Sequence, residues 1–372
     1  MREHVGYFDG LRIVALLSVI FMHAASAPLR GEMNIDWQLF NVFTGFSFSA
    51  VPLFFMMSGY LLMTSEKTTD VSALLKGRLP RLAVPLAGWT VVAVLWNSFL
   101  NGNMTPGNIF AQLASALNAP AAVHFWYLYT LIALYALSPF LYGAVSRLGK
   151  SGRVYLFALI ALVSLSAMLT AVLPEQFDKY AEVDFIEKLR LFGGHMCTFL
   201  LGYLLGSTKI RPPKALLAAT GAAALAIIAA GTYVLTVKNG AFTQTFEGQS
   251  AGFEIILASC IFLLFKQSSL MNAEGGKARK AAGPVIGLSM AIYMMHNIFL
   301  SMLYCEGLKI DTFAGGVLTT AFVFACCFLV MKTVATIKPL CYLATGKSYA
   351  EACEGFNWIY TFRAFRNAGE KN

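Results

Sequence analysis

Ten apolar runs, each about as long as a membrane-spanning helix, constrain the fold of this chain more than any other feature. A bilayer core about 30 Å thick needs roughly 20 apolar residues of helix, because each residue rises about 1.5 Å. The runs are centred near Val19, Pro52, Val94, Leu134, Ala161, Leu200, Ala226, Ile261, Met294 and Phe324. Hydrophobic residues make up 58% of the 372 residues and charged residues only 13%. The sequence therefore predicts an all-α fold, a polytopic transmembrane helical bundle of about ten spans.

The distribution of lysine and arginine predicts the orientation of these spans. With the N-terminus inside, ten spans place 20 of the 28 Lys and Arg residues on the cytoplasmic side and six on the outer side. Cytoplasmic loops are enriched in these residues, so both termini should be cytoplasmic. The net charge of +9 is spread over alternate loops and forms no single basic patch. Nucleic acid is accordingly not an expected partner. The acidic segment Pro174–Leu189 is predicted to be the most solvated outer loop.

The organisation predicted from the sequence is one domain over residues 1–372, with residues 338–372 as a cytoplasmic tail. No hydrophilic stretch is long enough to hold a second globular domain. The first apolar run carries Arg12 and His23 and exceeds signal-peptide length, so it should remain in the mature chain. The tail segment Gly346–Phe365 fits either a helix lying against the membrane or a partly ordered tail.

The sequence contains none of the common motifs of metal-binding or nucleotide-binding sites, and its cysteines do not form the pattern of a disulfide framework. The chain has no CxxC pair, no HExxH spacing and no GxGxxG or phosphate-binding loop after a strand pattern. We therefore expect no metal. The seven cysteines lie mostly in the spans and the tail, where they suit packing better than a disulfide framework.

Arg12 and His23 are the two residues of the first span that most strongly indicate function. Eleven residues turn a helix through about 1100°, so both side chains should project from one face with about 16 Å of axial rise between them. Ionisable groups within a span usually face the protein interior or a wet cavity, because hydrocarbon disfavours them. The pair predicts one charge and one proton carrier on a shared stripe.

Further polar groups are predicted near the outer ends of their spans. His23, His124 and His195 fall at such ends, Glu254 lies just inside the start of span eight, and His296 lies in the middle to outer part of span nine. An outer polar chamber would explain all five, with Glu254 as a candidate orienter of an imidazole. The alternative is that these groups simply contact water or lipid head groups at the interface, and for His195 this alternative is favoured.

Five sequence segments follow one another along the chain: Tyr7 to Ala15 with Phe21-Met22-His23, Val51 to Tyr60, Arg78 with Arg81 before Pro85, His124-Phe125-Trp126-Tyr127 through Ser138-Pro139, and Ser289 through His296. In this order they resemble the bacterial acyltransferase 3 family, membrane enzymes that O-acylate sugars. The resemblance spans nearly the whole chain. It is closest to the stand-alone type exemplified by the O-acetyltransferase of enterobacterial common antigen, because no extracytoplasmic hydrolase-like domain follows the tenth span.

The resemblance implies an acyl-CoA donor, with acetyl-CoA the expected one. Arg12, Lys76, Arg78 and Arg81 would contact its phosphates, and Ser58 could help line its path. The alternatives are positive-inside topology for the loop cations and close helix packing for Ser58. Arg12 could also snorkel to the interface.

The predicted catalytic residues are His23, which would act as the base, and Arg12. The acceptor would contact His124, Trp126, Glu254 and His296. Aromatic residues such as Trp126 are also common at membrane interfaces without any sugar contact.

The expected function is therefore O-acyl transfer, in a multi-pass protein of the bacterial cytoplasmic (inner) membrane. The acyl group would pass from cytoplasmic acyl-CoA to a hydroxyl of an extracytoplasmic glycan or lipid-linked sugar. Besides donor and acceptor, membrane lipids are expected partners, and a homo-oligomer is left open. A transporter or flippase of a glycan intermediate or organic anion is the alternative, although no repeated halves are detectable.

Overall fold

The computed structural model describes residues 5–172, 184–247, 252–268 and 277–369. The structure is 82% helix, and the described residues contain no strand, so the all-α prediction is confirmed. The helices are α1 Tyr7–Ala24, α2 Ile35–Phe48, α3 Ala50–Met63, α4 Val71–Ala73, α5 Pro80–Leu100, α6 Pro106–Ser115, α7 Trp126–Ser146, α8 Lys150–Val172, α9 Asp184–Ser207, α10 Lys214–Asn239, α11 Gly252–Lys266, α12 Lys277–Cys305, α13 Phe313–Val334, α14 Lys338–Thr345, α15 Tyr349–Gly355 and α16 Trp358–Gly369. One turn of π-helix, Leu74–Arg78, follows α4.

Within the described residues, seven helical stretches are long and apolar enough to cross a membrane. They are Tyr7–Ala24, Ile35–Met63, Val71–Leu100, Val123–Ser146, Lys214–Asn239, Ala281–Cys305 and Phe313–Val334. The other three predicted spans correspond to α8, α9 and the 15-residue α11. Residues 173–183, between α8 and α9, lie outside the described part, as does most of the acidic loop predicted over 174–189. The count of ten spans stays a prediction.

The chain divides into two compact units. The first unit comprises Met1–Thr69, Ser138–Glu274 and Ile310–Thr319, and the second comprises Asp70–Leu137, Gly275–Lys309 and Thr320–Asn372. Helices α7 and α13 each contribute residues to both. The sequence predicted one domain over residues 1–372 and did not predict this division into two units.

In the first unit, α3 and α9 cross where glycines face each other's backbone. A Cβ on Gly59 would lie 1.7 Å from the carbonyl oxygen of Phe199, and a Cβ on Gly202 would lie 2.1 Å from that of Met56. Small residues let membrane helices approach this closely and gain dispersion contacts along their length. Gly59 is therefore a point of close packing between α3 and α9, and Ser58 lies half-buried beside it.

In the same unit, α10 packs against α2 and α11. The side-chain amide of Asn41 on α2 donates a hydrogen bond to the carbonyl of Ala229 on α10, at 2.8 Å. Gly221 on α10 brings the helix against Cys260 on α11, because a Cβ there would already contact the cysteine at 3.3 Å. These contacts hold α10 against α2 and against α11, the helix that carries Glu254.

In the second unit, the C-terminal helices dock on α5 and α13. The indole nitrogen of Trp89 on α5 donates to the carbonyl of Ala344 at the end of α14, at 3.1 Å. Gly346 then turns the chain with φ +67°, and a Cβ there would lie 2.0 Å from the Arg81 carbonyl oxygen. The Lys332 ammonium on α13 lies 4.2 Å from the ring centroid of Trp358, which begins α16. The tail segment is therefore helical and docked.

Candidate active site

Helix α1 carries Arg12 and His23 on one continuous 18-residue helix, as predicted. Their eleven-residue spacing places both on one helical face. The guanidinium of Arg12 lies 3.9 Å from the carboxylate of Asp9, one turn earlier. The Asp9 side chain is buried, whereas that of Arg12 is about a third exposed. Asp9 thus supplies the compensating charge for an arginine held at the start of a membrane helix.

In the second unit, the structure brings His124 and His296 together. Their ring centroids lie 4.6 Å apart. His124 precedes α7 and His296 lies in the middle of α12, and both are buried. Tyr293, one turn before His296, donates its hydroxyl proton to the backbone carbonyl of His124. Tyr127 packs edge-on against Tyr293, with 5.8 Å between their ring centroids.

The hydrogen bonds of these two imidazoles define which ring nitrogen carries the proton. Nε2 of His124 donates to the carbonyl of Met294 at 3.3 Å, and Nδ1 of His296 donates to the carbonyl of Tyr293 at 2.5 Å. A carbonyl only accepts, so each of these nitrogens must be protonated. In the neutral rings the lone pair therefore resides on Nδ1 of His124 and on Nε2 of His296. Such nitrogens can accept a proton from a hydroxyl.

Glu254, at the start of α11 in the first unit, is fully buried. Its carboxylate accepts no hydrogen bond from any residue that the structure describes, and the same holds for Glu247. The two carboxylates are close enough for their charges to interact. Burial raises the pKa of Glu247, which lies between α10 and α11, to about 8. The structure thus places a second acid, Glu247, as an electrostatic neighbour of Glu254. The role of Glu254 as an orienter of an imidazole stays a prediction.

The predicted donor-binding cations lie at the start of α5 in the second unit. Lys76 is exposed, and Arg78 is half-buried at the end of the π-turn. The Arg81 guanidinium forms a 3.1 Å ion pair with Glu351 on α15, and both side chains are about half exposed. Burial alone would raise the pKa of Glu351, but hydrogen bonds from Ser348 and the charge of Arg81 lower it below its usual value. Arg81 therefore already has a structural partner in the docked tail.

The remaining predicted residues differ in their surroundings. Trp126 begins α7 and is half-buried, beside the buried Tyr127. In the first unit, the imidazole of His195 stacks on Phe55, with 4.9 Å between their ring centroids. His195 lies midway along α9, and its stacking on Phe55 gives it a packing role there.

A comparison with known protein families identifies the class of protein to which this chain belongs. The family model for acyltransferase 3, described as an acyltransferase domain, matches residues 5–332. The chain belongs to the acyltransferase 3 family. No curated protein and no solved structure matches it. The acyltransferase match begins before α1 and ends at Lys332 near the end of α13, so it includes residues of both compact units and leaves out the docked tail.

Three residues beside the candidate site residues of this membrane acyltransferase were not selected by sequence reasoning. Asp9 lies three positions before Arg12, a spacing at which helical side chains meet, so the pair was recognisable from the sequence. Tyr293 is part of the family-like segment before His296, but only the structure shows that it holds His124. Glu247 carried no sequence signal, because an acid in an outer loop is ordinarily solvated.

Proposed function

We propose that this membrane acyltransferase moves an acyl group, acetyl by preference, from cytoplasmic acyl-CoA to a hydroxyl of an extracytoplasmic glycan or lipid-linked sugar. The observation that carries the proposal is the placement of Arg12 and His23 on one face of a single membrane helix. An anion-binding group and a proton-accepting group lie about 16 Å apart along that helix. We also propose that the protein is of the stand-alone type of the family and lies in the bacterial inner membrane.

Donor binding requires cations, because the phosphates of CoA are anionic. Arg12 would contact a phosphate by charge-assisted hydrogen bonds, and Asp9 would hold the guanidinium in place. Lys76 and Arg78 lie on an exposed turn before α5 and would add to the attraction. Arg81 would contribute less, since Glu351 already pairs with it. The half-buried Ser58 would line the donor path beside the tight α3–α9 crossing.

Transfer requires a base, because a sugar hydroxyl is a poor nucleophile near neutral pH. His23 would take the hydroxyl proton while the sugar oxygen bonds to the thioester carbonyl carbon. The carbon–sulfur bond then breaks, and the CoA thiolate takes up a proton to leave as the thiol. An acyl-histidine intermediate on His23 is the two-step variant of the same reaction.

The acceptor would be oriented by polar and aromatic groups assigned to the outer side. His124 and His296 present ring nitrogens whose hydrogen-bonding roles are fixed by backbone carbonyls. Trp126 would offer an aromatic face to a sugar ring, and Glu254 a buried carboxyl group. Family membership favours this group transfer over transport of an intact intermediate, which the sequence alone left open.

The decisive experiment incubates purified protein with labelled acetyl-CoA and cell-envelope glycan. We expect release of CoA thiol together with label on the glycan, and neither product with His23→Ala. Reconstitution into sealed vesicles then tests sidedness, with orientation set by protease access to the C-terminal tail. Donor should be consumed only from the tail side, and acylated sugar should appear on the other side. Consumption of both substrates from the tail side would overturn the transmembrane part of the proposal.

A further inference from the structure

A cavity of about 600 Å³ lies within the first unit, between α8, the end of α9 and α11. Its walls are formed mainly by aliphatic and aromatic side chains: Leu148, Val154, Phe157, Leu204, Leu205 and Leu263. Cavities that hold small molecules commonly range from about 300 to 1,000 Å³. The volume therefore suits a ligand, and the lining suits an apolar one.

One end of this cavity is cationic. Lys150 and Arg153, on the first turn of α8, line it directly. Arg153 is held there, because its Nε donates to the carbonyl of Leu148 at 3.3 Å and its guanidinium lies 5.9 Å from the ring centroid of Tyr203. These contacts hold the Arg153 guanidinium beside the cavity wall.

The two chain segments that supply most of the cavity lining carry charge of one sign. Residues 141–160 and 201–214 contain six cations and no Asp or Glu, the cations being Arg147, Lys150, Arg153, Lys209, Arg211 and Lys214. Nearby, the Lys266 ammonium donates to the carbonyls of Leu205, Gly206 and Thr208 at the end of α9. Lys266 is thus occupied by carbonyl groups, while the other cations remain on exposed segments. An anionic group would relieve their mutual repulsion.

We infer that this cavity, the α8–α9 cavity, is a binding site for an anionic phospholipid. The lipid phosphate would lie against Lys150 and Arg153, and an acyl chain would fill the space between Val154, Phe157 and Leu263. The exposed apolar walls favour a chain over water, because leaving them wet sacrifices the free energy of apolar burial. Basic pockets between membrane helices are known to take anionic lipid head groups in this way.

The test compares lipids on the full chain purified in mild detergent, with retained lipid measured by native mass spectrometry. Dioleoyl phosphatidylglycerol should be retained at least 10-fold more than dioleoyl phosphatidylcholine at equal concentration. Dihexanoyl phosphatidylglycerol should be retained much less, because its chains leave the cavity largely empty. Equal retention of the two dioleoyl lipids, or of the long and short chains, would overturn the inference.

Charge variants test whether Lys150 and Arg153 cause the preference for phosphatidylglycerol. The double variant Lys150→Glu/Arg153→Glu should reduce the preference for phosphatidylglycerol about 10-fold. The matched control Lys67→Glu/Lys238→Glu makes the same change in net charge elsewhere in the first unit and should keep the preference. If the reversed pair does not fold, Lys150→Gln/Arg153→Gln removes the charges without adding new ones. A loss in the control equal to that in the cavity variant would show a general charge effect and refute the site.

Competition distinguishes a lipid from a simple anion. Inorganic phosphate and CoA, each at the concentration of the lipid, should leave phosphatidylglycerol bound. Displacement by either one would mean that the cations alone bind the phosphate, contrary to the inference. The readout is retained lipid and requires no acyl transfer, so it is independent of the proposed reaction.

Discussion

The imidazoles of His124 and His296 lie with ring centroids 4.6 Å apart, and a backbone carbonyl of α12 accepts a hydrogen bond from each. Backbone carbonyls on a continuous helix are fixed, so these hydrogen bonds orient both rings. Tyr293 completes the arrangement from the same helix by donating to the carbonyl of His124. One turn of α12 therefore positions both histidines of the second unit.

The role of Tyr293 can be tested by removing only its hydroxyl group. Tyr293→Phe should raise the KM for the acceptor about 3- to 10-fold, the equivalent of one hydrogen bond of about 0.5–1.5 kcal/mol, and leave the KM for the donor unchanged. The matched control is Tyr129→Phe, which deletes a 2.7 Å hydrogen bond to the carbonyl of Ala116 in the same unit. Steady-state kinetics give the KM values of both variants, and equal effects of the two substitutions would contradict a specific role for Tyr293.

His23 should be indispensable for transfer but not for folding. His23→Ala removes the base without adding a charge to α1, so turnover should fall by about 10²- to 10⁴-fold while expression and membrane insertion persist. His195→Ala is the matched control, since that imidazole stacks on Phe55 within the same unit. Near-normal turnover of His23→Ala in the labelled-acetyl assay would rule out its assignment as the base.

Arg12 should contribute to donor affinity. Arg12→Ala should weaken CoA binding by about 1.5–3 kcal/mol, or roughly 10- to 150-fold, because a charge-assisted contact to phosphate is lost. Arg81→Ala should cost less, because Glu351 competes for that guanidinium. Arg30→Ala, at an exposed position after α1, should leave affinity unchanged. Calorimetry with CoA measures all three, and unaltered binding by Arg12→Ala would assign that residue a structural role.

Much of the fold was predictable because it follows from the bilayer as a solvent. Long apolar runs must satisfy their backbone groups internally, so each becomes a helix whatever its neighbours are. The shared face of Arg12 and His23 also follows from local geometry, since eleven residues fix the angle between them. The close approach at Gly59 was predictable for the same reason, because a glycine beside Ser58 in a span indicates close helix packing.

The parts that escaped prediction depend on which helices meet. The predicted outer chamber grouped His124 with His296, but the direct ring contact joins positions far apart in sequence, and no local pattern specifies it. Glu351 lies in the tail, and its ion pair with Arg81 depends on the docking of α14 and α15 against α5. Burial of Glu247 depends likewise on tertiary packing, since its short helical turn would be solvated if it stood alone.

The α3–α9 crossing should not tolerate even a methyl group. Gly59→Ala would place a Cβ 1.7 Å from a backbone oxygen, so the helices must separate. The free energy of unfolding should fall by about 1–3 kcal/mol. Gly143→Ala on α7 has nothing within 4 Å of the added Cβ and should be neutral or slightly stabilising. Thermal unfolding in detergent compares the two. Equal melting temperatures for Gly59→Ala and the parent would show that the crossing is not tight.

Glu247 should make stability fall as the pH rises. Burial raises its pKa to about 8, whereas an unfolded chain releases this proton near about pH 4.3. Between those values the folded state binds more protons than the unfolded state, so the free energy of unfolding decreases with increasing pH. Glu247→Gln keeps the shape of the neutral acid and also removes a charge beside Glu254. This variant should therefore flatten the profile and melt above the parent at pH 8.

Glu351→Gln provides a control of opposite sign. The pKa of Glu351 is lowered, so its stabilising contribution is present at neutral pH and is lost as the pH falls through that value. Replacing it removes the ion pair with Arg81, while the amide oxygen of glutamine can still accept the capping hydrogen bond from the Ser348 N–H. Loss of the charge should lower the melting temperature at pH 7, and the difference from the parent should become smaller toward acid pH. Melting curves of the parent and both variants from pH 4 to pH 9 make the comparison. A parent profile that is flat from pH 5 to pH 8, or one that Glu247→Gln leaves unchanged, would show that Glu247 is ionised and compensated in the folded protein.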